Sequence, residues 1–218
     1  MAEKSLAVLR YRIPVGEAQS ELVIKNSVFI GTVGHAPQIE RAHAFVARIR
    51  ARYPDAHHHA WAFKTTAEPQ EIIGSSDDGE PGGTAGRPML AVLEGSGLCE
   101  VVAVGTRYWG GIKLGTGGLV RAYSGALREA LKGLSTVECV LHRLARLVVD
   151  YGLYGNLRYL LPKYGVRTDE ALFAEGVTLS LAVPYDHADQ VAGLLRELTN
   201  GRILIERQWQ GERYDVRV

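Results

Sequence analysis

Cysteine is scarce in this chain: 218 residues contain two, Cys99 and Cys139. They form no C-x-x-C pair, which excludes a zinc ribbon and a thioredoxin-like redox site. Both are expected to be buried free thiols in a reducing compartment. Long apolar runs are also missing. Nothing approaches the ~18 consecutive apolar residues of a membrane helix. Met1 to Ile13 scatters Glu3, Lys4, Arg10 and Arg12 among apolar residues instead of following the basic-then-apolar order of a signal peptide. A cytoplasmic protein with no membrane partner is therefore expected. An excess of one charge is absent too, since 25 basic residues face 24 acidic ones. Without a global basic excess, recognition of an anion such as RNA must come from a local patch.

Several familiar site signatures are missing as well. There is no G-x-x-x-x-G-K-[ST] phosphate loop and no G-x-G-x-x-G fingerprint. No G-x-S-x-G nucleophile elbow occurs. What is present is a globular balance, 46% hydrophobic against 22% charged, enough for a real core.

Hydrophobic spacing divides the chain near residue 140. In the first part, residues 5–13 and 21–33 read as strands around Pro14-Val15-Gly16. Residues 38–53 read as a helix with Ile39, Ala42, Phe45, Val46 and Ile49 on one stripe. His57 to Lys64 reads as a strand with Trp61 and Phe63 on one face. Thr84 is placed to cap a helix running to Leu93, Leu98 to Thr106 is a valine-rich strand, and Thr116 is placed to cap a second helix ending at Gly133. After about residue 142 the order becomes strand (144–150), helix (152–163), strands (166–173 and 177–183), helix (185–199) and strand (202–210). That is βαββαβ, the order of a ferredoxin-like sandwich. The expected fold class is α+β, with one domain at 1–140 and a second at 141–218.

Chemistry concentrates in two loops. Of the 25 glycines, 13 lie between Gly74 and Gly118. The first loop, 74–87, carries Asp77, Asp78 and Glu80, followed by Gly83 and Thr84. Three carboxylates so close repel one another unless a cation lies between them. Mg²⁺ is one candidate, because hard oxygen ligands suit it, and arginines such as Arg107 are another. A solvated turn is the bland alternative. The second loop, 105–118, carries Arg107, Tyr108, Trp109, Gly110, Gly111, Lys113, Gly115, Thr116 and Gly117. It feeds a helix whose free N–H groups favour an anion, and Arg107, Lys113 and Arg121 would add formal charge. Tyr108 and Trp109 either stack on a base or anchor the loop in the core, and anchoring is expected.

His57-His58-His59 invites a metal reading. On a strand, however, His57 and His59 share one face while His58 points the other way, and two histidines without a third ligand make a weak site. One or two of the histidines, His58 and His59 foremost, are instead expected to line the loop cleft as hydrogen-bond donors or a base, with a buried structural histidine as the alternative.

Asp78-Gly79-Glu80-Pro81 with Gly83-Thr84-Ala85-Gly86, Arg107-Tyr108-Trp109-Gly110-Gly111 with Lys113-Leu114-Gly115, and His58-His59 before Trp61-Ala62 together resemble the IMPACT/YigZ family over residues 18–130. The part after 140 looks like the C-terminal domain of its bacterial members. Ala60 stands where some relatives carry cysteine, which argues against a thiol nucleophile. The resemblance implies a first domain similar to the second domain of ribosomal protein S5, and a second domain similar to the last domain of elongation factor G. It also implies a regulatory link to translation, since eukaryotic relatives regulate translation by competing for a protein partner. Those relatives do so with a further N-terminal domain that this sequence does not show, so that partner does not carry over. The expected function is a non-catalytic, translation-linked regulator that binds RNA, the ribosome or a nucleotide-like anion through the two loops. The alternatives are a Mg²⁺-dependent enzyme acting on phosphate esters or nucleic acid, and a protein-interaction module.

Overall fold

The computed structural model describes residues 9–67 and 70–216. It divides into two compact units, one of Tyr11–Val137 and one that begins at Glu138 and also takes in Arg10. The fold is α+β in both. The expected first strand began at residue 5, and residues 5–8 lie outside the described residues.

The first unit is built on a five-stranded antiparallel sheet. After β1 (Arg10–Val15), its strands are β2 (Glu17–Ile24), β3 (Ser27–His35), β4 (His58–Ala67), β5 (Gln70–Ser76) and β6 (Val101–Tyr108). They lie in the order β2-β3-β6-β4-β5. The single strand expected at 21–33 is two strands. Lys25 and Asn26 form a two-residue hairpin turn with φ of 46° and 64°, the left-handed pair that matches the twist of the flanking strands. The strand β5 was not expected at all.

Period-two alternation on β6 feeds two cores. Val102 and Val104 face helix α1 (Ile39–Arg52) and pack with Phe45, Val46 and Ile49. Val101 and Ala103 face helices α2 (Gly86–Gly95) and α3 (Thr116–Lys132) and pack with Met89, Leu93, Tyr123 and Leu127. Residues on β4 and β6 that point to the α2/α3 side therefore reach the starts of those two helices, and this positions the site.

The second unit follows the expected βαββαβ order. Strand β7 (Ser135–Val149) leads to α4 (Tyr151–Leu160), β8 (Arg167–Phe173), β9 (Val177–Pro184), α5 (Ala188–Leu198) and β10 (Trp209–Val216). β9 lies between β7 and β8, and β10 also pairs with β7, all antiparallel. Leu147, Leu157, Leu179, Leu181, Val191 and Leu195 fill the core. The last strand starts later than the expected residue 202. Arg202 N donates to Thr199 O (3.1 Å) and Ile203 N donates to Thr199 Oγ1 (3.0 Å), tying this stretch back to the end of α5. Ile205 then buries in a 3₁₀ turn, and only after it does the chain join the sheet.

Candidate functional site

Each glycine-rich loop leads into a helix, and the two helix starts are treated differently. The first loop closes on itself. Asp77 Oδ1 accepts from Ala85 N (2.9 Å) and Gly86 N (2.8 Å), and Oδ2 accepts from Gly83 N (2.7 Å). The free amides at the start of α2 are thus satisfied by a carboxylate of the protein's own. Burial alone would raise the Asp77 pKa, but these three hydrogen bonds together hold it below the ordinary carboxylate value. Thr84, expected to cap α2, does not: its hydroxyl donates to Pro81 O at 2.6 Å.

The other two acidic residues face elsewhere. Asp78 accepts from His59 N at 2.7 Å and pairs with Arg50. Glu80 is buried and takes Arg107 Nη1 on both its oxygens, at 2.8 and 3.0 Å, and the Tyr123 hydroxyl at 2.7 Å. The three carboxylates considered for Mg²⁺ therefore do not converge. Among the described residues, no group of three or more His, Cys, Asp or Glu is arranged to hold a metal ion. Repulsion between them is relieved by backbone amides and two arginines.

Arg107 was expected either as a cation for the acidic loop or as a binder of an external anion, and the structure shows it in the first role. Its side chain is 7% exposed and that of Glu80 is 3% exposed, so the guanidinium is the floor of the loops and not a free anion receptor. It lies over the Phe29 ring, 5.3 Å from the centroid. Tyr123, which sequence spacing placed on the apolar stripe of α3, supplies the third polar member. Burial and then its bond to Glu80 push its phenol well above the ordinary range, so it stays a donor. The available signal was chemical: a tyrosine buried in an apolar stripe needs a partner for its hydroxyl.

The second loop stays open. Helix α3 starts at Thr116 with Gly115 in the capping position, and no side chain caps it, Thr116 included. Gly115 has φ of 75°, a conformation that suits glycine. The helix start opens into a hollow of about 440 Å³, lined by His58, Glu80, Pro81, Arg107, Trp109, Lys113, Leu114, Gly115, Thr116 and Leu119. Residues of both loops and of β4 thus meet at one cleft.

Lys113 is exposed and has no carboxylate partner among the described residues. Trp109 was expected to anchor in the core. It is instead 49% exposed, edge-on to the His57 ring at 6.5 Å. Its amide donates to His57 Nδ1 (3.2 Å), while Tyr108 donates its hydroxyl to Asp55 (2.9 Å). Gly110 N donates to Ser27 Oγ at 3.0 Å, and a Cβ at Gly110 would fall 2.1 Å from the Asn26 carbonyl carbon. Only glycine lets this loop rest on the β2–β3 hairpin.

The histidines separate as the strand pleat requires. His58 faces the hollow and donates through Nδ1 to Asp78 O at 2.9 Å. His59 points to the α1 side, is buried, and bonds Tyr53 O at 3.0 Å. Burial lowers its pKa, so it is a neutral structural histidine. Of the other residues considered for binding, Gly83 is held by Asp77, and Arg121 is exposed without lining the hollow. Gly110, Gly111 and Gly117 shape the loop and the helix start without lining the hollow themselves.

These features define a two-domain α+β protein whose first domain carries a loop-lined cleft at an uncapped helix start. The chain belongs to the IMPACT family. The model of the Impact N-terminal domain matches residues 25–131, and that of a domain of unknown function, DUF1949, matches residues 147–202. It is similar to an IMPACT family member of Haemophilus influenzae, 40% identical over 93% of this chain and 98% of that one. It is likewise similar to the IMPACT family member YigZ of Escherichia coli, 40% identical over 83% of this chain and 89% of that one. A solved structure described as a hypothetical protein aligns with TM-score 0.60 and 37% identity, covering 88% of this chain and 94% of that one. Among the described residues, no helix is long and apolar enough to cross a membrane.

Proposed function

We propose that this protein is a non-catalytic, translation-linked regulator of the cytoplasm, and that its cleft takes one nucleotide unit of RNA. The observation that carries this reading is the coincidence of three groups on one hollow of about 440 Å³. Free amides at the start of a 17-residue helix and the Lys113 ammonium, unpaired among the described residues, suit a phosphate. The half-exposed Trp109 ring offers a stacking face for the base. The link to translation is carried over from the family and depends on no residue contact. A ribosomal or translation-factor partner is part of the same proposal.

The test is binding of a labelled oligoribonucleotide, read by anisotropy and by Trp109 fluorescence, together with ribosome co-sedimentation at moderate salt. Trp109→Ala and Lys113→Glu should each weaken binding by roughly tenfold or more, the loss of a base–aromatic stack alone being worth ~1–3 kcal/mol. Arg121→Glu should matter less, because Arg121 is off the hollow. Affinity unchanged in both cleft variants would end this reading.

His58 favours a second reading, hydrolysis of a phosphate ester, because it lines the same hollow and its bond to Asp78 O uses Nδ1, not Nε2. Turnover of a phosphate-ester panel that disappears in His58→Gln would replace the first reading with this one.

A further inference from the structure

The far end of α3 carries a second hollow, of about 500 Å³, that the cleft does not share. Arg128 and Lys132 reach it from α3, Arg12 reaches it from β1, and Leu98, Leu131 and Leu134 supply apolar lining. No carboxylate is among the described residues that line it. In a chain with 25 basic and 24 acidic residues, Arg12 and Arg128 beside one hollow of mixed polar and apolar lining are a local excess, Lys132 being paired with Glu129.

Cations in the last turn of a helix complement its dipole, and that accounts for Lys132, which also pairs with Glu129 at 2.7 Å. It does not account for Arg12, which arrives from a strand. The backbone of Arg12 is fixed at the rim by a parallel bridge to Leu98 and by Cys99 N donating to its carbonyl at 2.9 Å. Its Nη2 donates to Ser96 O at 3.3 Å, which leaves its other donors available. Arg128 is exposed one turn before the helix end, without a carboxylate partner among the described residues.

We infer that this hollow is a binding site for a small amphipathic anion: a phosphate, sulfonate or carboxylate held by Arg12 and Arg128, with an apolar body laid against Ala91, Val92 and Leu131. Its volume lies within the ~300–1,000 Å³ of ordinary ligand pockets. It is independent of the cleft, because the two open at opposite ends of a helix that rises ~1.5 Å per residue.

The probe is 8-anilinonaphthalene-1-sulfonate, an aromatic anion whose fluorescence rises on burial, titrated into the full chain. One probe should bind per chain. Hexyl phosphate should displace it at least about tenfold better than inorganic phosphate, as burial of several methylenes requires. Arg12→Glu with Arg128→Glu should weaken the probe by tenfold or more, as removal of two charge-assisted hydrogen bonds implies, and these exposed positions leave the fold intact. Leu131→Trp, which fills the hollow and keeps its charges, should block the probe as well. Lys113→Glu at the cleft should change nothing. The proposal is overturned if the wild type binds no probe, if inorganic phosphate competes as well as hexyl phosphate, or if Lys113→Glu abolishes binding while the Arg12 and Arg128 variant retains it.

Discussion

The two glycine-rich loops look alike in sequence and end in opposite states. The first spends its helix start on Asp77, whose carboxylate takes the amides of Gly83, Ala85 and Gly86. The second leaves the start of α3 open beside Lys113 and Trp109. Glycine content therefore signals a shaped loop but says nothing about whether its amides are free. What separates them is one carboxylate at the right offset from the helix. The first loop is a scaffold, and its acidic residues hold the shape against which the second is displayed.

The largest break in this comparison should come from the shared floor. Arg107→Ala leaves Glu80 buried without its cation, which should cost about 3–5 kcal/mol of stability in chemical denaturation. A cost below about 1 kcal/mol would mean that the pair does not hold the loops together. Removal of Arg107 is thus a test of folding and a poor test of ligand binding.

Asp77→Ala should cost about 0.5–2 kcal/mol, the usual value of a helix cap. Because the folded pKa of Asp77 is depressed, its contribution is fully present above the unfolded carboxylate value of about 3.9. It is lost as pH falls through the folded value. The stability gap between wild type and Asp77→Ala should therefore be constant at neutral pH and close on acidification below about pH 4. A gap that widens in acid would contradict the role given to this carboxylate.

The smallest and sharpest change makes the second loop imitate the first. Thr116→Asp places a carboxylate at the open start of α3. It should leave stability unchanged or raise it by about 0.3–1 kcal/mol, while removing binding of any phosphate-bearing ligand at the cleft. Retained affinity in a well-folded Thr116→Asp protein would show that the helix start is not where the ligand sits.

Much of this was legible from spacing alone. The stripes of α1 and α3, the βαββαβ order after residue 140 and the pleat that separates His58 from His59 all follow from local periodicity. The loops were located for the same reason, since their glycines stand out in composition. The pairings were legible only in outline: Arg107 was one candidate counter-ion for the acidic loop, but the carboxylate it would take was not apparent. Arg107 and Glu80 are 27 positions apart, and nothing local distinguishes an arginine held by a distant glutamate from one left for a ligand. Thr84 and Thr116 suit a cap by residue type alone. At α2 a carboxylate seven residues before Thr84 does that work, and at α3 no side chain does. The hairpin at Lys25-Asn26 was missed because lysine is an unusual occupant of a left-handed turn position.

The seat of Gly110 on the Asn26-Ser27 backbone makes that hairpin a hidden part of the cleft. Neither Asn26 nor Ser27 lines the hollow, yet a side chain at position 110, or a lost hydroxyl at position 27, would lift the strip that carries Trp109 and Lys113. A protease nick after the exposed Lys25 would therefore loosen the strip that carries Trp109 and Lys113, although the cut lies outside the hollow.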